Sequence, residues 1–375
     1  MIYSDYAATT PLSSRAYEAM RPYLEDHFGN PSTLHRFGRT PRLAIAAARE
    51  EIAAMIGAKP EEIYFTSGGT ESDNWAIKGI ALAHFGLKNR IAISAIEHHA
   101  VQNPCSALAA LGFETEMIQV DQTGMVTVEE FDQKISSHVL LASVMTANNE
   151  IGTIEPIAQL TEIAHEHGVL FHTDAVQAVG HIRLDVRKLG VDLLSASAHK
   201  FYGPKGIGFL FIREGTKLFP LIHGGGQESG QRSGTENVAG IIGMAEALKE
   251  CIANMEEEAQ RIETLRNQLL FLLKTAGLDF LVNGNETHHL PGSLSLSFRG
   301  VQGETLLHRL DLMGIAIATG SACNSRETVL SHVIRAIDVP KDYAGGTVRI
   351  TFGRDSRQEH VTAVAEAICK ILLHL

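Results

Sequence analysis

The four cysteines, Cys105, Cys251, Cys323 and Cys369, stand far apart in 375 residues, with no C-x-x-C pair. That spacing is poor material for a disulfide framework or a thiolate metal site, so a reducing cytoplasm is the expected compartment. Basic residues are also short, at 32 Lys and Arg against 43 Asp and Glu. The formal charge of -11 argues against a general polyanion binder, because nothing on that scale attracts a phosphate backbone. No apolar run nears the ~20 residues that a bilayer crossing needs, so no membrane partner is expected. Met1–Asp5 lacks the positive segment and apolar core of a secretory signal. Three histidine pairs, His98-His99, His165 with His167, and His288-His289, are spaced so that their members rarely face one ion together. No metal is expected.

What remains is an ordinary globular composition, 45% hydrophobic and 20% charged, in a chain long enough that two domains are the natural expectation. The pattern alternates. Short apolar runs at Glu62–Thr66, Arg90–Ser94, Val139–Met145, Val169–Thr173, Leu193–Ser197 and Gly208–Ile212 read as strands. Helical stretches at Arg42–Ile56, Glu71–His84, Ala100–Leu111 and Pro156–His167 separate several of them. Such alternation predicts a mainly parallel sheet covered on both faces. Glu236–Thr275 reads as one long connecting helix, with Glu256-Glu257-Glu258 as a solvated face. Beyond it, strands at Ser293–Phe298, Ile315–Ala318 and Thr347–Phe352 and helices at Gly303–Met313, Ser331–Ile337 and Ser356–Leu373 predict a second, smaller α+β domain.

Ligands of open parallel sheets bind beyond the carboxyl ends of the strands, and three polar clusters fall at such places. Thr66-Ser67-Gly68-Gly69-Thr70-Glu71-Ser72 offers glycines for close approach to an anion, free N–H groups at a helix start, and hydroxyls. It is equally readable as a plain turn capped by Thr70. Asp174 directly follows an apolar strand, where capping of a following helix is the commoner use of an aspartate. Lys200 follows a buried strand and precedes a glycine-rich run, a place suited to a lowered pKa and imine chemistry. One cofactor would use all three, since pyridoxal 5'-phosphate needs a lysine, an acidic partner for its pyridine nitrogen and a phosphate cradle.

With these clusters in view, the sequence resembles the NifS/IscS-like cysteine desulfurases, a branch of the class V aminotransferase-like, fold-type-I pyridoxal-phosphate enzymes. Matching stretches include Asp5–Thr10, Gly29-Asn30-Pro31-Ser32, Thr66–Ser72, Glu97-His98-His99-Ala100, Asn148–Gly152 and Thr173–Gln177. Ala198-His199-Lys200, Gly224–Glu228, Arg232–Asn237, Gly320-Ser321-Ala322-Cys323 and Arg349–Arg354 continue the series nearly to the C-terminus. The resemblance implies an α/β large domain over residues 15–255 that binds the cofactor. It also implies a small domain of residues 1–14 with 256–375 that carries the nucleophilic cysteine loop.

By the same resemblance, Lys200 carries the cofactor, Asp174 pairs with the pyridine nitrogen, Gln177 reaches the ring hydroxyl and His98 stacks on the ring. Gly69, Thr70, Ser197 and His199 hold the phosphate. Thr235 reaches it from the neighbouring subunit, which implies a homodimer. Asn149 and Arg349, with Asn30, contact the substrate, and a guanidinium suits a carboxylate because its planar fork grips both oxygens. Cys323 lies in the polar stretch Thr319–Ser325, unlike a structural cysteine among apolar neighbours, and the resemblance makes it the sulfur acceptor from L-cysteine. The implied products are L-alanine and a persulfide on Cys323 that is passed to an acceptor protein such as an iron–sulfur scaffold. Selenocysteine lyase and a non-catalytic pyridoxal-phosphate-binding sulfur-relay scaffold are the alternatives. The chain departs from the common pattern at Asn324–Glu327, Leu330, Ser229 and Ala198, which bears on partner docking more than on cofactor chemistry.

Overall fold

The computed structural model describes residues 1–319 and 330–373. Seven strands form the large sheet: β1 (Ile63–Thr66), β2 (Arg90–Ser94), β3 (Glu114–Ile118), β4 (Val139–Ser143), β5 (Leu170–Asp174), β6 (Leu193–Ser197) and β7 (Gly208–Ile212). Their order is β1-β7-β6-β5-β4-β2-β3, and only β7 runs against its neighbours. Strands β4, β6 and β7 are buried along their whole length, because helices cover both faces of a parallel sheet and leave no side for polar residues.

The carboxyl ends of β1, β2, β4, β5 and β6 therefore open on one edge. Each is followed by a polar turn: Ser67–Thr70, Glu97–His99, Asn148–Glu150, Asp174–Gln177 and Ala198–Lys200. This edge is the crevice that open α/β sheets use for ligands.

A second, antiparallel sheet is built from β8 (Phe280–Asn283), β9 (Ser293–Phe298), β10 (Ala318–Thr319) and β11 (Thr347–Thr351), in the order β10-β11-β9-β8. It has its own core, with Leu294, Leu296, Val348 and Ile350 against Val361, Val364 and Ile368 of the helix Gln358–Leu372.

The helix Val238–Thr275 belongs to both cores. Ile241, Met244, Leu248 and Cys251 recur at spacings of three and four and bury in the core of the large sheet, and Leu265, Leu269 and Leu273 bury in the core of the second sheet. Between them, none of residues 256–264 is fully buried, and this is where the three glutamates fall.

The N-terminal segment bridges the two sheets. Ile2 and Tyr3 pair in parallel with Ile315 and Ala316, and Asp5 bridges Thr351. Thr10 and Ser13 then donate their N–H groups to the carbonyls of His199 and Tyr202, just beyond β6 of the large sheet, at 2.9 Å each.

Candidate active site

A cavity of about 630 Å³ lies at the carboxyl edge of the large sheet. Gly69, Thr70, His98, Asn149, Asp174, Gln177, Ser197, His199, Lys200 and Arg349 all line it. Five separate strand ends and the second sheet thus converge on one space. A second cavity, of about 70 Å³, lies behind Ala7, with Met255, Ile262, Leu290 and Phe352 in its wall. It is too small to hold a phosphorylated ring.

Lys200 sits in the short turn after β6. Its Nζ donates to the carbonyl oxygens of Ala7 and Ala8 at 2.6 and 2.8 Å, and Gln177 Nε2 donates to the same Ala7 oxygen at 3.0 Å. Burial, with help from the Arg349 guanidinium, lowers the ammonium to about 8, against a partial restoring pull from Asp174 and Asp5. A lysine with its proton loosened this far is suited to attack a carbonyl and to carry protons near neutrality.

Asp174 ends β5 and is 5% exposed. One oxygen accepts the Val176 N–H at 2.9 Å, the local turn expected of a short acidic residue after a strand, but no helix follows for it to cap. Burial raises its carboxyl to about 6, opposed by that N–H and by Lys200. Two residues earlier on the same strand, so on the same face, His172 is fully buried between Ser143 Oγ at 2.8 Å and Ser195 Oγ at 3.0 Å. Burial drops its imidazole to about 3, so it is neutral. Asp73 Oδ1 lies 3.6 Å from His172 Nε2, and burial together with Asp174 drives this carboxyl well above the usual range. Sequence reasoning missed Asp73, His172 and Glu97, whose buried partners come from distant segments.

The helix Gly69–Ala83 begins at the cavity. Its N-cap is Gly68, at φ 148° and ψ -176°, a conformation open to glycine alone, with no side-chain cap. Thr70 is therefore inside the first turn, and the capping alternative for it does not hold. A Cβ on Gly69 would stand 2.6 Å from Val176 Cγ2. The turn is a close-approach cradle whose first-turn N–H groups and helix dipole favour an anion, joined by Ser197 and His199 at the cavity wall. Glu71 fixes it: its carboxylate accepts the Ser67 N–H at 2.7 Å and pairs with Arg232 at 2.8 Å. Burial pushes Glu71 up, and these partners outweigh it to hold the carboxyl below its usual value.

His98 caps the helix His99–Leu108 by accepting the Ala100 N–H on Nδ1 at 3.1 Å. The ring proton therefore sits on Nε2. Burial, then Lys200 and His99, keep the imidazole below its ordinary value, hence neutral at pH 7.

Arg349, on β11, reaches the same space from the second sheet. Its Nη1 donates to Asn149 O at 2.8 Å and its Nη2 to Asp5 Oδ1 at 2.7 Å, while Nε is buried without a protein partner. A fixed guanidinium with an orphan donor is a ready carboxylate site.

Two expected site residues are not in this cavity wall. Asn30 is exposed in a turn, where its Oδ1 accepts the Ser32 N–H at 2.9 Å, and it is absent from the cavity wall. Thr235 is exposed, three residues beyond Arg232. Cys323 lies outside the described residues.

A fold-type-I α/β architecture with a lysine, an aspartate and an anion cradle around one crevice defines the class, and comparison with known proteins agrees. Residues 2–364 match the class-V aminotransferase family, and the chain belongs to it. It is 50% identical over 371 residues to the cysteine desulfurase IscS of Dictyoglomus turgidum, covering 99% of this chain and 94% of that one. A solved NifS-like protein superimposes with a TM-score of 0.94 at 38% identity over the full length of both chains. A structure described as SspA in complex with cysteine matches with a TM-score of 0.83 at 34% identity, covering 94% of this chain and 99% of that one.

Proposed function

We propose that this protein is a cysteine desulfurase that moves the sulfur of L-cysteine onto Cys323 and releases L-alanine, with pyridoxal 5'-phosphate as cofactor. The observation that carries the reading is the convergence of Lys200, Asp174, the Gly68–Thr70 turn and Arg349 on one cavity. The donor set fits the cofactor. Gly69, Thr70, Ser197 and His199 would hold the phosphate, Asp174 the ring nitrogen, Gln177 the ring hydroxyl, and Lys200 the aldehyde carbon. Bound there, the cofactor supplies an electron sink for a carbanion at the substrate Cα.

The chain's own groups do the rest. Arg349 grips the substrate carboxylate, its fork held square by Asp5 and Asn149. Lys200 Nζ takes the Cα proton, which its lowered basicity allows at neutral pH. His98, which lines the cavity and is neutral, serves as the proton donor through its Nε2–H. Cys323, as thiolate, attacks the substrate sulfur: the Cβ–S bond breaks, an S–S bond forms, and a proton replaces sulfur on the carbon that becomes the methyl of alanine. Cysteine plus the Cys323 thiol thus becomes alanine plus the Cys323 persulfide, with no outside oxidant.

The acceptor is a second protein of sulfur-handling type, such as an iron–sulfur scaffold. The family resemblance makes the working form a homodimer in which Thr235, exposed on its own subunit, serves the phosphate of a partner. Among the described residues no helix is long and apolar enough to cross a membrane. The test is incubation of the cofactor-loaded protein with L-cysteine and a thiol reductant. Equimolar alanine and sulfide are expected, and alanine that requires an α-keto acid would mark a transaminase instead.

A further inference from the structure

We infer that Thr10 is a positioning residue for Lys200: its hydroxyl clips the N-terminal segment to the turn that carries the lysine and so sets where Nζ stands. This rests on the reading of Lys200 as the residue that bonds the cofactor.

The turn after β6 is held on every carbonyl from Ala198 to Tyr202. Ala198 O accepts the N–H groups of Phe201 and Gly203 at 3.0 and 2.9 Å. His199 O accepts the Thr10 N–H and the Thr10 hydroxyl at 2.9 Å each. Lys200 O takes the His181 Nε2–H at 2.8 Å, Phe201 O the Cys251 thiol at 3.4 Å, and Tyr202 O the Ser13 N–H at 2.9 Å. The conformation needs that support. Tyr202 stands at φ 64°, in the left-handed region that a bulky residue adopts only where its surroundings impose it.

Thr10 imposes it. Its Oγ1 donates to His199 O and at the same time accepts the Tyr202 N–H at 2.7 Å, so one hydroxyl spans the turn on both sides of Lys200. Thr10 is 1% exposed and Tyr202 7%, so water does not replace either bond. Further out, the Tyr202 hydroxyl accepts the Arg354 N–H at 2.7 Å, and the Arg354 guanidinium lies 4.3 Å from the ring centroid.

The same segment holds the far end of the lysine. Ala8 and Ala7, two and three residues before Thr10, present the carbonyls that receive Nζ. Lys200 is thereby gripped at both ends of its side chain by one stretch of chain, whose register against the turn Thr10 Oγ1 fixes. A flexible four-carbon stem loses its freedom in advance, and Nζ starts from one place when it joins the aldehyde carbon with loss of water. Thr10 itself touches no reacting atom.

The experiment loads cofactor-free wild type, Thr10→Val, Thr10→Ala and Thr10→Ser with pyridoxal phosphate. Bond formation at Lys200 is followed by borohydride trapping and mass spectrometry. Affinity for deoxypyridoxine phosphate, which has the ring and phosphate but no aldehyde, is measured beside it. Valine keeps the branched shape and loses both hydrogen bonds, so trapping should slow about 5- to 20-fold, and as much in Thr10→Ala. Thr10→Ser keeps the hydroxyl and should stay within about twofold of wild type, and the analogue should bind every variant within about twofold. Trapping at the wild-type rate in Thr10→Val would overturn the inference, and if that variant does not fold, the same result in Thr10→Ala would. Analogue affinity that falls in step with trapping would also overturn it, marking Thr10 as a prop of the whole site. A wild type that traps no cofactor on Lys200 would overturn the cofactor reading itself, so the failures are distinct.

Discussion

Asp5 Oδ1 lies 2.7 Å from Arg349 Nη2, so the N-terminal segment whose Ala7 and Ala8 carbonyls hold Lys200 also aims the guanidinium. Asp5→Asn keeps the shape and removes the charge. It should raise KM for L-cysteine about 3- to 10-fold with little change in kcat, because a partly buried charge-assisted hydrogen bond contributes on the order of 1 kcal/mol. Arg349→Ala should raise KM further while pyridoxal phosphate still binds, as steady-state kinetics and cofactor titration will separate.

Lys200 should lose its proton near pH 8 rather than at the ordinary lysine value, since burial and Arg349 lower it. In the cofactor-free protein, acetylation of Lys200 followed by mass spectrometry should be half-maximal close to pH 8, with exposed lysines responding two or more units higher. Asp174→Asn should move this midpoint down, because Asp174 is among the groups that favour the ammonium.

Gly69→Ala places a methyl group 2.6 Å from Val176 Cγ2. On helix propensity alone alanine would gain about 1 kcal/mol, but here it closes the cradle. Affinity for pyridoxal phosphate should fall at least about 10-fold, and Val176→Ala in the same chain should recover part of it.

Much of this arrangement is legible in the sequence, because the chemistry sits where strands end. Arg90–Ser94, Leu193–Ser197 and Gly208–Ile212 are read to the residue, since short apolar runs bounded by polar turns leave little choice. The strand Glu114–Ile118 is not, because at the sheet edge three of its five residues are exposed and no alternation survives. The helix Arg36–Ile56 begins six residues before the expected start, its first turns disguised by Gly38 and Pro41. The helix Ser14–Glu25 is missed because Pro22 stands near its end. Asp5 with Arg349 and Glu150 with Ser331 join positions 344 and 181 residues apart. Pairings between loops from distant strands carry no local pattern.

Glu155 is buried, with one oxygen on the Val126 N–H at 2.8 Å and the other unpartnered. Burial raises its carboxyl to about 8, aided by Asp121. The folded state thus keeps a proton that the unfolded chain releases above its ordinary carboxylate value. This contribution is fully present below about pH 4.5 and is lost as pH rises through 8. Glu155→Gln, which mimics the protonated form, should flatten the fall in stability between those limits by a few kcal/mol, measured by urea unfolding at stepped pH.

The most direct measurement mixes the loaded protein with one equivalent of L-cysteine, without reductant, and follows alanine release and the mass of the Cys323 peptide. Wild type should release one alanine as that peptide gains one sulfur. Cys323→Ser should bind the cofactor normally, gain no sulfur and release no alanine at a comparable rate. Alanine release at the wild-type rate from Cys323→Ser, or sulfur on Cys105, Cys251 or Cys369 in place of Cys323, would contradict sulfur transfer to this residue.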